Sequence, residues 1–416
     1  MKSGKVIAML LLAFLQAFFS YGQDTSRNPL TVKPQPALQE DTILPRQDSV
    51  PKRLRVAIFT PLYLDSAFDF TDTYRYGKNF PRFINPGLEF YEGAQLAIDS
   101  MEKEGASLDF HIYDTRSVQN SLTKVLKDSG FVGTDLIIGH VSAYEARVLA
   151  DAAARLQVPF INANFPNDAG VTNNPNYVLL NSTLFTHVQA LYKFLQRNFS
   201  LSPITVFMKS KGPLEDLFRE YVSTIEKTTT SVPLKLNYVT LNAAFSEKEL
   251  SKHLDSNTTN IVISATLDTQ FGQILAESLS QLSESYASTL FGMPTWDVLD
   301  FTKPQFSNIE IYYSTPFYIP PTHKTAIDVT NTFRSRFYSR PTDMVFRGFD
   351  VVYHFTKVLL NKPATSQHLF TERNFKIFTD YDIQPVTNPT TQAVNYLENK
   401  KIYFVKKIDG IVKAVY

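Results

Sequence analysis

The sequence predicts an α/β protein made of two doubly wound, Rossmann-like lobes. Residues 135–165, DLIIGHVSAYEARVLADAAARLQVPFINANF, show the order strand, helix, strand of a βαβ unit with parallel strands. Similar strand and helix patterns fill two successive parts of the chain, 53–180 and 204–291. A chain of 416 residues is long enough for two lobes, and each series is too short for a closed barrel of eight strands.

The helix in residues 135–165 begins with a capping box. Ser142 is followed three residues later by Glu145, and apolar residues then recur at helical spacing from Ala146 to Leu156. The helix therefore begins at the carboxyl edge of a parallel sheet. Free N–H groups and a partial positive charge favour an anion or a polar ligand at such a position.

The first series contains an unusually long loop. A strand at 53–60 precedes the loop 61–86, which is followed by a helix that Asn85 and Pro86 begin, a strand at 108–115 and a helix at 118–127. Connections between a strand and a helix usually have two to six residues, so we expect this loop to be functional or ordered by its own aromatic side chains. Those side chains are Tyr63, Phe68, Phe70, Tyr74, Tyr76, Phe80 and Phe83.

The second series has the same pattern and is followed by further elements. Its predicted strands lie at 204–207, 234–241, 261–264 and 290–291, and its helices at 214–227, from 246 onward and at 269–282. A longer strand at 309–318 is expected to cross back to the first lobe. Helices at 324–338 and 346–360 and a hairpin at 401–415 with an Asp-Gly turn complete the chain.

The N-terminal region has the pattern of an exported protein. Residues 1–22 combine a basic start, an apolar stretch from Val6 to Phe19 and small residues before Gln23, as in a cleaved secretory signal. Residues 23–52 are polar and rich in Pro, which predicts a disordered linker. We therefore expect a periplasmic protein that is soluble after signal cleavage.

Composition and motifs give no support for an enzyme. The chain has no cysteine, and its formal net charge of +1 does not indicate nucleic acid as a partner. We find no P-loop, zinc-protease, nucleophile-elbow or dinucleotide-binding motif, and the seven histidines lack the spacing of metal ligands. We therefore expect no catalytic residues, no metal and no cofactor.

Several segments together resemble a type I periplasmic binding protein, in particular the branched-chain amino-acid-binding group. They include RVAIFTPLY, GLEFYEGAQLAIDS, IIGHVSAYEA, VPFINANFPND, IEIYYSTPFY and FRGFDVVYHFTKVLL, and the resemblance spans about residues 53–416. The second of these segments and the aromatic loop before it look most like envelope-associated members from Bacteroidota. Some of those carry LysM repeats, which this chain does not show.

The resemblance implies two lobes that are joined by three crossings and close on a small ligand. The crossings would lie near Asn181–Thr183, near Ser314–Pro316 and near Pro363–Gln367. Lobe 1 would then contain residues 53–181 and 315–363, and lobe 2 would contain residues 182–314 and 364–416.

The resemblance also implies a ligand carboxylate at the helix that begins at Ser142. The backbone N–H groups of Ala143 and Tyr144, with the Ser142 hydroxyl, could hold an anion; a plain capping box explains Ser142 and Glu145 equally well. Ala163 and Asn164, after the next strand, are the second expected contact of lobe 1.

Contacts from lobe 2 are expected at its strand-end loops. Thr266, Thr295 and Trp296 are the candidates there, although a core position for Trp296 is also compatible with the sequence. Tyr63 and Asp350 are weaker candidates in lobe 1. Relatives that bind an α-amino acid place an acid near 293–296; here the stretch reads Met-Pro-Thr-Trp, with Asp297 just beyond, and this departure speaks against such a ligand.

Two functions follow as hypotheses. The first is a periplasmic solute-binding protein that closes on a small polar ligand, amino-acid-like or another carboxylate, and delivers it to an inner-membrane permease or a sensor. The second is a non-transport adaptor of the envelope, which would regulate cell-wall machinery through protein–protein contacts and retain a vestigial cleft.

Overall fold

The computed structural model describes residues 53–210, 213–320, 322–361, 375–408 and 411–415. The predicted signal segment 1–22 and linker 23–52 lie outside these residues. Within them the chain forms two seven-stranded sheets, each flanked by helices and each with its own apolar cores. The prediction of an α/β protein with two doubly wound lobes is therefore confirmed.

The first lobe begins with five parallel strands in the order β2-β1-β3-β4-β5. Its elements up to the first crossing are β1 (Leu54–Thr60), α1 (Leu64–Ala67), α2 (Asn85–Lys103), β2 (Leu108–Asp114), α3 (Leu122–Val125), α4 (Ser129–Val132), β3 (Leu136–Gly139), α5 (Ala143–Leu156), β4 (Phe160–Asn162) and β5 (Tyr177–Leu179). The helix expected at 118–127 is shorter in the structure, where α3 covers Leu122–Val125. A separate short helix, α4, follows it, and the Asp128 side chain accepts the Gly130 N–H at its start.

The second lobe repeats this order with β7-β6-β8-β9-β10. It contains α6 (Leu184–Phe199), β6 (Pro203–Lys209), α7 (Pro213–Thr228), β7 (Lys235–Leu241), α8 (Glu247–Ser251), β8 (Asn260–Ser264), α9 (Thr269–Gln281), β9 (Ser288–Gly292), 3₁₀ turns at Pro294–Val298 and Pro304–Phe306, and β10 (Glu310–Thr315). In sheets with this strand order, ligands bind outside the carboxyl ends of the strands, at the point where the strand order changes direction.

The remaining elements are shared between the two lobes. They are α10 (Lys324–Phe337), α11 (Asp343–Asn361), β11 (Ile383–Thr387), β12 (Val394–Asn399), β13 (Tyr403–Ile408) and β14 (Ile411–Val415). Helices α10 and α11 pack in the core of the first lobe. A Cβ atom on Gly93 of α2 would lie 1.9 Å from the Val345 carbonyl oxygen, and one on Gly348 would lie 2.1 Å from that of Phe90. Glycine at both positions therefore lets α2 and α11 touch along their backbones.

The C-terminal part of the chain departs from the expected division into lobes. Residues 364–416 were all expected in lobe 2, but β12 pairs in parallel with β5, and β11 pairs with β12, so both strands belong to the first sheet. Of the strands described in this part of the chain, β13 and β14 join the second sheet. The third crossing consequently runs from Asn399 to Tyr403, whereas the position expected at 363–367 lies outside the described residues.

A buried polar network ties the first and third crossings together. The carboxylate of Glu398, 1% exposed, accepts hydrogen bonds from the Thr183 N–H at 2.8 Å, the Thr183 hydroxyl at 2.9 Å and the Thr186 hydroxyl at 2.7 Å. Lys400 donates to the same carboxylate, and the Asn399 side-chain amide donates to the Leu180 carbonyl. These bonds fix the two chain segments to each other where they pass between the lobes.

Candidate functional site

At the carboxyl edge of the first sheet, Asp114 anchors the long aromatic loop. Its carboxylate accepts the backbone N–H groups of Leu62, Tyr63 and Leu64 at distances of 2.9, 3.1 and 2.8 Å. Tyr63 has a left-handed backbone conformation, with φ of 56°, which turns these N–H groups toward one acceptor. The nest of donors after β1 is therefore filled by a side chain of the protein itself.

The aromatic side chains of this loop contact one another in a row. Ring centroids lie 5.7 Å apart for Phe68 and Tyr74, 5.8 Å for Tyr74 and Tyr76, and 4.9 Å for Tyr63 and Phe83. Such edge contacts stabilise aromatic pairs beyond their buried area. The expectation that the loop is ordered by its own aromatics is confirmed.

The start of α5 is occupied by the carboxylate of Glu145. That group accepts the Ser142 N–H and the Ser142 hydroxyl, each at 2.7 Å, and Arg116 lies 3.6 Å from it. Ser142 and Glu145 therefore form a capping box, the alternative that the sequence analysis considered equally compatible. Ala143 and Tyr144 are exposed, and their N–H groups donate no hydrogen bond to the described residues.

Asn164 joins the loop after β4 to its surroundings. Its side-chain oxygen accepts the Val141 N–H at 2.7 Å, and its backbone oxygen accepts the Asn181 side-chain amide at 2.6 Å. Ala163 is fully buried. Asn164 therefore joins the segment before α5 to the first crossing.

In the second lobe, the predicted ligand contacts Thr266 and Trp296 are buried, and the hydroxyl of Thr295 is bonded within the lobe. Trp296 is fully buried and lies so close to Gly272 and Gly292 that an added Cβ would overlap its ring. Thr266 is buried, and the Thr295 hydroxyl donates to the Leu267 carbonyl at 3.1 Å. The structure therefore places Trp296 in the lobe core, the alternative that the sequence left open.

A cavity of about 200 Å³ lies between the lobes, beside the second crossing. Its walls come from the end of β10 and the segment after it, from α11, from the segment before β11 and from the turn after β9. The residues used below are Asp297, Tyr313, Phe317, Asp343, Phe346, Arg347, Asp350 and Phe378. Of the ten residues predicted from the sequence, only Asp350 lines this cavity.

Asp350 is a structural residue at the cavity wall. It is 2% exposed and accepts the N–H groups of Phe378 at 3.1 Å and Thr379 at 3.2 Å, and the hydroxyl of Tyr381 at 2.9 Å. A carboxylate with three donors from its own chain has little capacity left for a ligand. It holds the segment before β11 against α11.

Arg347 is the positively charged group of the cavity. Its guanidinium lies 3.7 Å from the ring centroid of Phe317, and its Nε atom is buried without a hydrogen-bond partner. No ion pair joins it to another described residue. Burial lowers the pKa of Arg347, while the nearby Tyr381, Asp297 and Asp343 counteract this effect.

The charge of Arg347 acts on groups from both lobes. Burial raises the pKa of Asp297, and Asp343 adds to the rise whereas Arg347 opposes it. In the first lobe, burial and then Arg347 lower the pKa of His140, at the end of β3, to about 4. His140 is therefore neutral near pH 7, and it packs against Phe90 with 5.5 Å between ring centroids.

Arg347 is not among the residues predicted from the sequence, although the spacing of its charged neighbours indicates it. Asp343, Arg347 and Asp350 recur at spacings of four and three residues, which places them on one face of a helix. The same face carries Phe346, and without its charged residues it would be interpreted as the apolar face of the helix. Three charges on an apolar helix face indicate a polar surface inside the protein.

The arrangement of two doubly wound lobes with three crossings is the fold of the type I periplasmic binding proteins. The chain is similar to a putative branched-chain amino acid ABC transporter from Rhodospirillum rubrum, with a TM-score of 0.61 and 13% identity over 88% of this chain and 100% of that chain. For a similarly described protein from Silicibacter pomeroyi the values are 0.57, 12%, 88% and 96%.

A third similar structure is an ABC transporter substrate-binding protein from Desulfitobacterium hafniense in complex with Leu. Its TM-score is 0.53, with 12% identity over 88% of this chain and all of that chain. No protein-family model and no curated protein matches the sequence. At these identities the likeness establishes the fold, and function has to be argued from the site.

The described residues show neither a membrane-spanning helix nor a metal-binding cluster. No helix among them is both long and apolar enough to span a bilayer. No group of three or more His, Asp or Glu side chains in the described part of the chain is arranged to hold a metal ion.

Proposed function

We propose that this protein is a solute-binding protein that holds a small polar ligand between its two lobes. The observation that carries the proposal is the cavity beside the crossings, where Arg347 of the first lobe and Asp297 of the second present charges that no described ion pair neutralises. A ligand that contacts both lobes favours the conformation in which they approach each other, so binding and closure are coupled.

The partner in this proposal is an inner-membrane importer or a sensor that recognises the closed form. The signal-like segment 1–22 supports a periplasmic location. The similar structures, an ABC transporter substrate-binding protein and a putative branched-chain amino acid ABC transporter, support the same role. The predicted site at Ser142 and Asn164 remains a proposal for additional contacts at the rim.

The proposal is tested by screening amino acids, peptides, sugars and carboxylates in a thermal-shift assay. A ligand should raise the melting temperature in proportion to the logarithm of its concentration above Kd, and should reduce the radius of gyration measured by X-ray scattering. Arg347→Met should abolish both effects, and Arg155→Met, on the exposed face of α5, should change neither. A screen without any stabilising compound, or binding that survives Arg347→Met, would contradict the proposal.

A second candidate function is the envelope adaptor, and one surface favours it. Leu64, Phe70, Phe83 and Tyr144 are exposed on the first lobe, and Phe70 is 98% exposed. Exposed apolar side chains gathered at one edge are typical of protein–protein contacts. Capture of a cell-wall synthesis protein by the intact chain, lost in Phe70→Ser and retained in Val232→Ser, would support this function over solute binding.

A further inference from the structure

We propose that the crossings between the lobes act as a built-in lock, in which the buried carboxylate of Glu398 in the first lobe holds the start of α6 in the second lobe at one interlobe angle. Such a lock sets the resting angle of the chain without ligand, and it is independent of which solute the cavity binds. Three features carry the inference: the partners of the carboxylate, the bonds that join the crossings, and the burial of the whole network.

The groups that donate to Glu398 from the second lobe all belong to the start of α6. Glu398 lies at the end of β12 in the first sheet, whereas Thr183 is the N-cap of α6 and Thr186 lies in its first turn. The Thr183 N–H and both hydroxyls reach the carboxylate at 2.7–2.9 Å. A negative charge is favoured at a helix N-terminus, where N–H groups are free and the helix dipole is positive. The carboxylate of one lobe therefore caps a helix of the other.

Lys400 completes the network as the positive partner of Glu398. Its ammonium group donates to the carboxylate and, at 2.9 Å, to the Thr186 hydroxyl. The side chain of Glu398 is 1% exposed and that of Lys400 is 22% exposed. A buried ion pair contributes little net stability, because desolvation offsets the attraction, yet a buried charge that loses its partners is strongly unfavourable. The pair consequently favours one arrangement of these groups over others.

The first and third crossings are bonded to each other along their length. The Ser182 hydroxyl donates to the Asn399 carbonyl at 2.5 Å, and the Asn399 side-chain amide donates to the Leu180 carbonyl at 3.2 Å. Both side chains are almost completely buried. A rotation that separated these segments would leave buried polar groups without partners, which costs more than each bond contributes when it forms. The two segments therefore move as one unit.

The second crossing is joined both to the third crossing and to α6. Thr315, at the end of β10, pairs with Tyr403, the first residue of β13. Ser314 shares a hydrogen bond of 2.9 Å with Nδ1 of His187 on α6, and both side chains are buried. Burial lowers the pKa of His187 to about 3, so this bond joins uncharged groups at neutral pH. The three described crossings therefore form one bonded strip beside Glu398.

The position of the network determines what a rotation of the lobes has to break. Glu398 is on the side of the first lobe and Thr183 and Thr186 are on the side of the second, so a change of angle stretches their bonds unless the lobes turn about the carboxylate itself. These residues belong to none of the apolar cores. Removal of the carboxylate charge should therefore weaken the preference for one angle while both sheets stay folded.

Distances between two spin labels test the lock in the intact chain without ligand. The sequence has no cysteine, so Arg155→Cys on α5 and Lys227→Cys on α7, both exposed, place one label in each lobe. Double electron–electron resonance should give one narrow distance distribution. In Glu398→Gln and in Thr186→Val, the share of molecules outside this distribution should rise at least about fivefold, since each hydrogen bond lost or weakened removes a factor of roughly two to ten from the preference.

Glu249→Gln is the matched control. In the capping box of α8, Glu249 accepts the N–H and the hydroxyl of Ser246, each at 2.9 Å, within the second lobe, so its substitution should leave the distribution unchanged. Should Glu398→Gln not fold, Thr186→Val, which keeps the shape of the side chain, decides.

Three results would overturn the inference. The first is a broad distribution in the labelled chain that carries no other substitution. The second is an unchanged distribution in Glu398→Gln and Thr186→Val at a temperature where circular dichroism shows them folded. The third is equal broadening by Glu249→Gln. Failure of the ligand screen would refute solute binding and leave this result standing, because the labels are measured without ligand.

Discussion

Glu92 gives a prediction that depends on burial in the first lobe. It lies on α2, is 8% exposed, and burial together with repulsion from Glu89 raises its pKa from 4.5 to about 7, against the attraction of Arg336. In the unfolded chain the carboxyl group titrates near its ordinary value. The folded protein therefore binds a proton at this site more tightly than the unfolded protein does.

The sign of the effect on stability follows from this difference. Below about pH 4.5 the group is protonated in both states and costs nothing; between 4.5 and 7 the unfolded state loses its proton first, and the folded state loses stability. A difference of about 2.5 pH units corresponds to about 3 kcal/mol at 1.36 kcal/mol per unit. Glu92→Gln keeps the shape and removes the titration. It should therefore be more stable than the wild type by up to about 3 kcal/mol at pH 8 and equal to it at pH 4.

Urea unfolding at a series of pH values measures this difference. Circular dichroism should follow both lobes, whereas the fluorescence of Trp296, the sole tryptophan, follows the second lobe. Glu102→Gln, at an exposed position of the same helix, is the matched control and should parallel the wild type at every pH. A stability difference for Glu92→Gln that stays constant between pH 4 and pH 8 would refute the reasoning.

Three further substitutions test the packing and the crossings. Gly93→Ala forces α2 away from Val345 and should destabilise the first lobe by about 1–3 kcal/mol in urea unfolding, with a smaller loss disproving the close approach. Trp296→Ala should lower the stability of the second lobe by about 3–5 kcal/mol. The ligand affinity of Trp296→Ala should stay unchanged at a temperature where the variant is folded. A loss of affinity would show that Trp296 contributes to ligand binding. Glu398→Gln weakens the bonds to Thr183 and Lys400 and should cost about 2 kcal/mol, measured by the urea midpoint; an unchanged midpoint would show that the network contributes no stability.

Local signals in the sequence were sufficient for most helices and strands. The capping boxes at Ser142 and Ser246, each with Glu three residues on, mark helix starts that the structure shows at the next residue. The apolar run before Gly139 is a fully buried strand. In each case the determining contacts lie within a few residues, so the pattern and the structure depend on the same neighbours.

The missed strands depend on contacts that are far apart in the chain. Leu397 of β12 pairs with Val178 of β5, and no turn motif or helix pattern near 394–399 indicates that partner. The stretch also carries Glu398 and Asn399, which lower its strand propensity and serve the crossing network instead. The error in the lobe boundary follows directly, because the third crossing is defined by where β12 ends.

The site could be located only in part from the sequence. Ser142 and Asn164 are predicted contacts because strand ends bind ligands in this fold, yet their polar groups are engaged by Glu145 and Val141. The sequence shows which polar groups a strand end presents. It does not show whether other residues of the same protein already form hydrogen bonds with those groups. The cavity is assembled from segments that are far apart in the chain: Asp297 lies in the turn after β9, and Arg347 lies on α11.

The cavity wall and the third crossing are parts of one connected segment. Asp350 holds the N–H groups of Phe378 and Thr379 on α11, while the next N–H, of Asp380, donates to the Tyr403 hydroxyl at 2.8 Å, and Tyr403 begins the second-lobe strand β13. A ligand that packs against Phe378 therefore contacts a segment whose other anchor belongs to the opposite lobe. If the lobes rotate about the crossings, we expect this anchor to move with the second lobe, which would link occupancy of the cavity to the angle between the lobes. The crossing between Asn399 and Tyr403 therefore lies next to a wall of the cavity, because Tyr403 anchors the segment that carries Phe378.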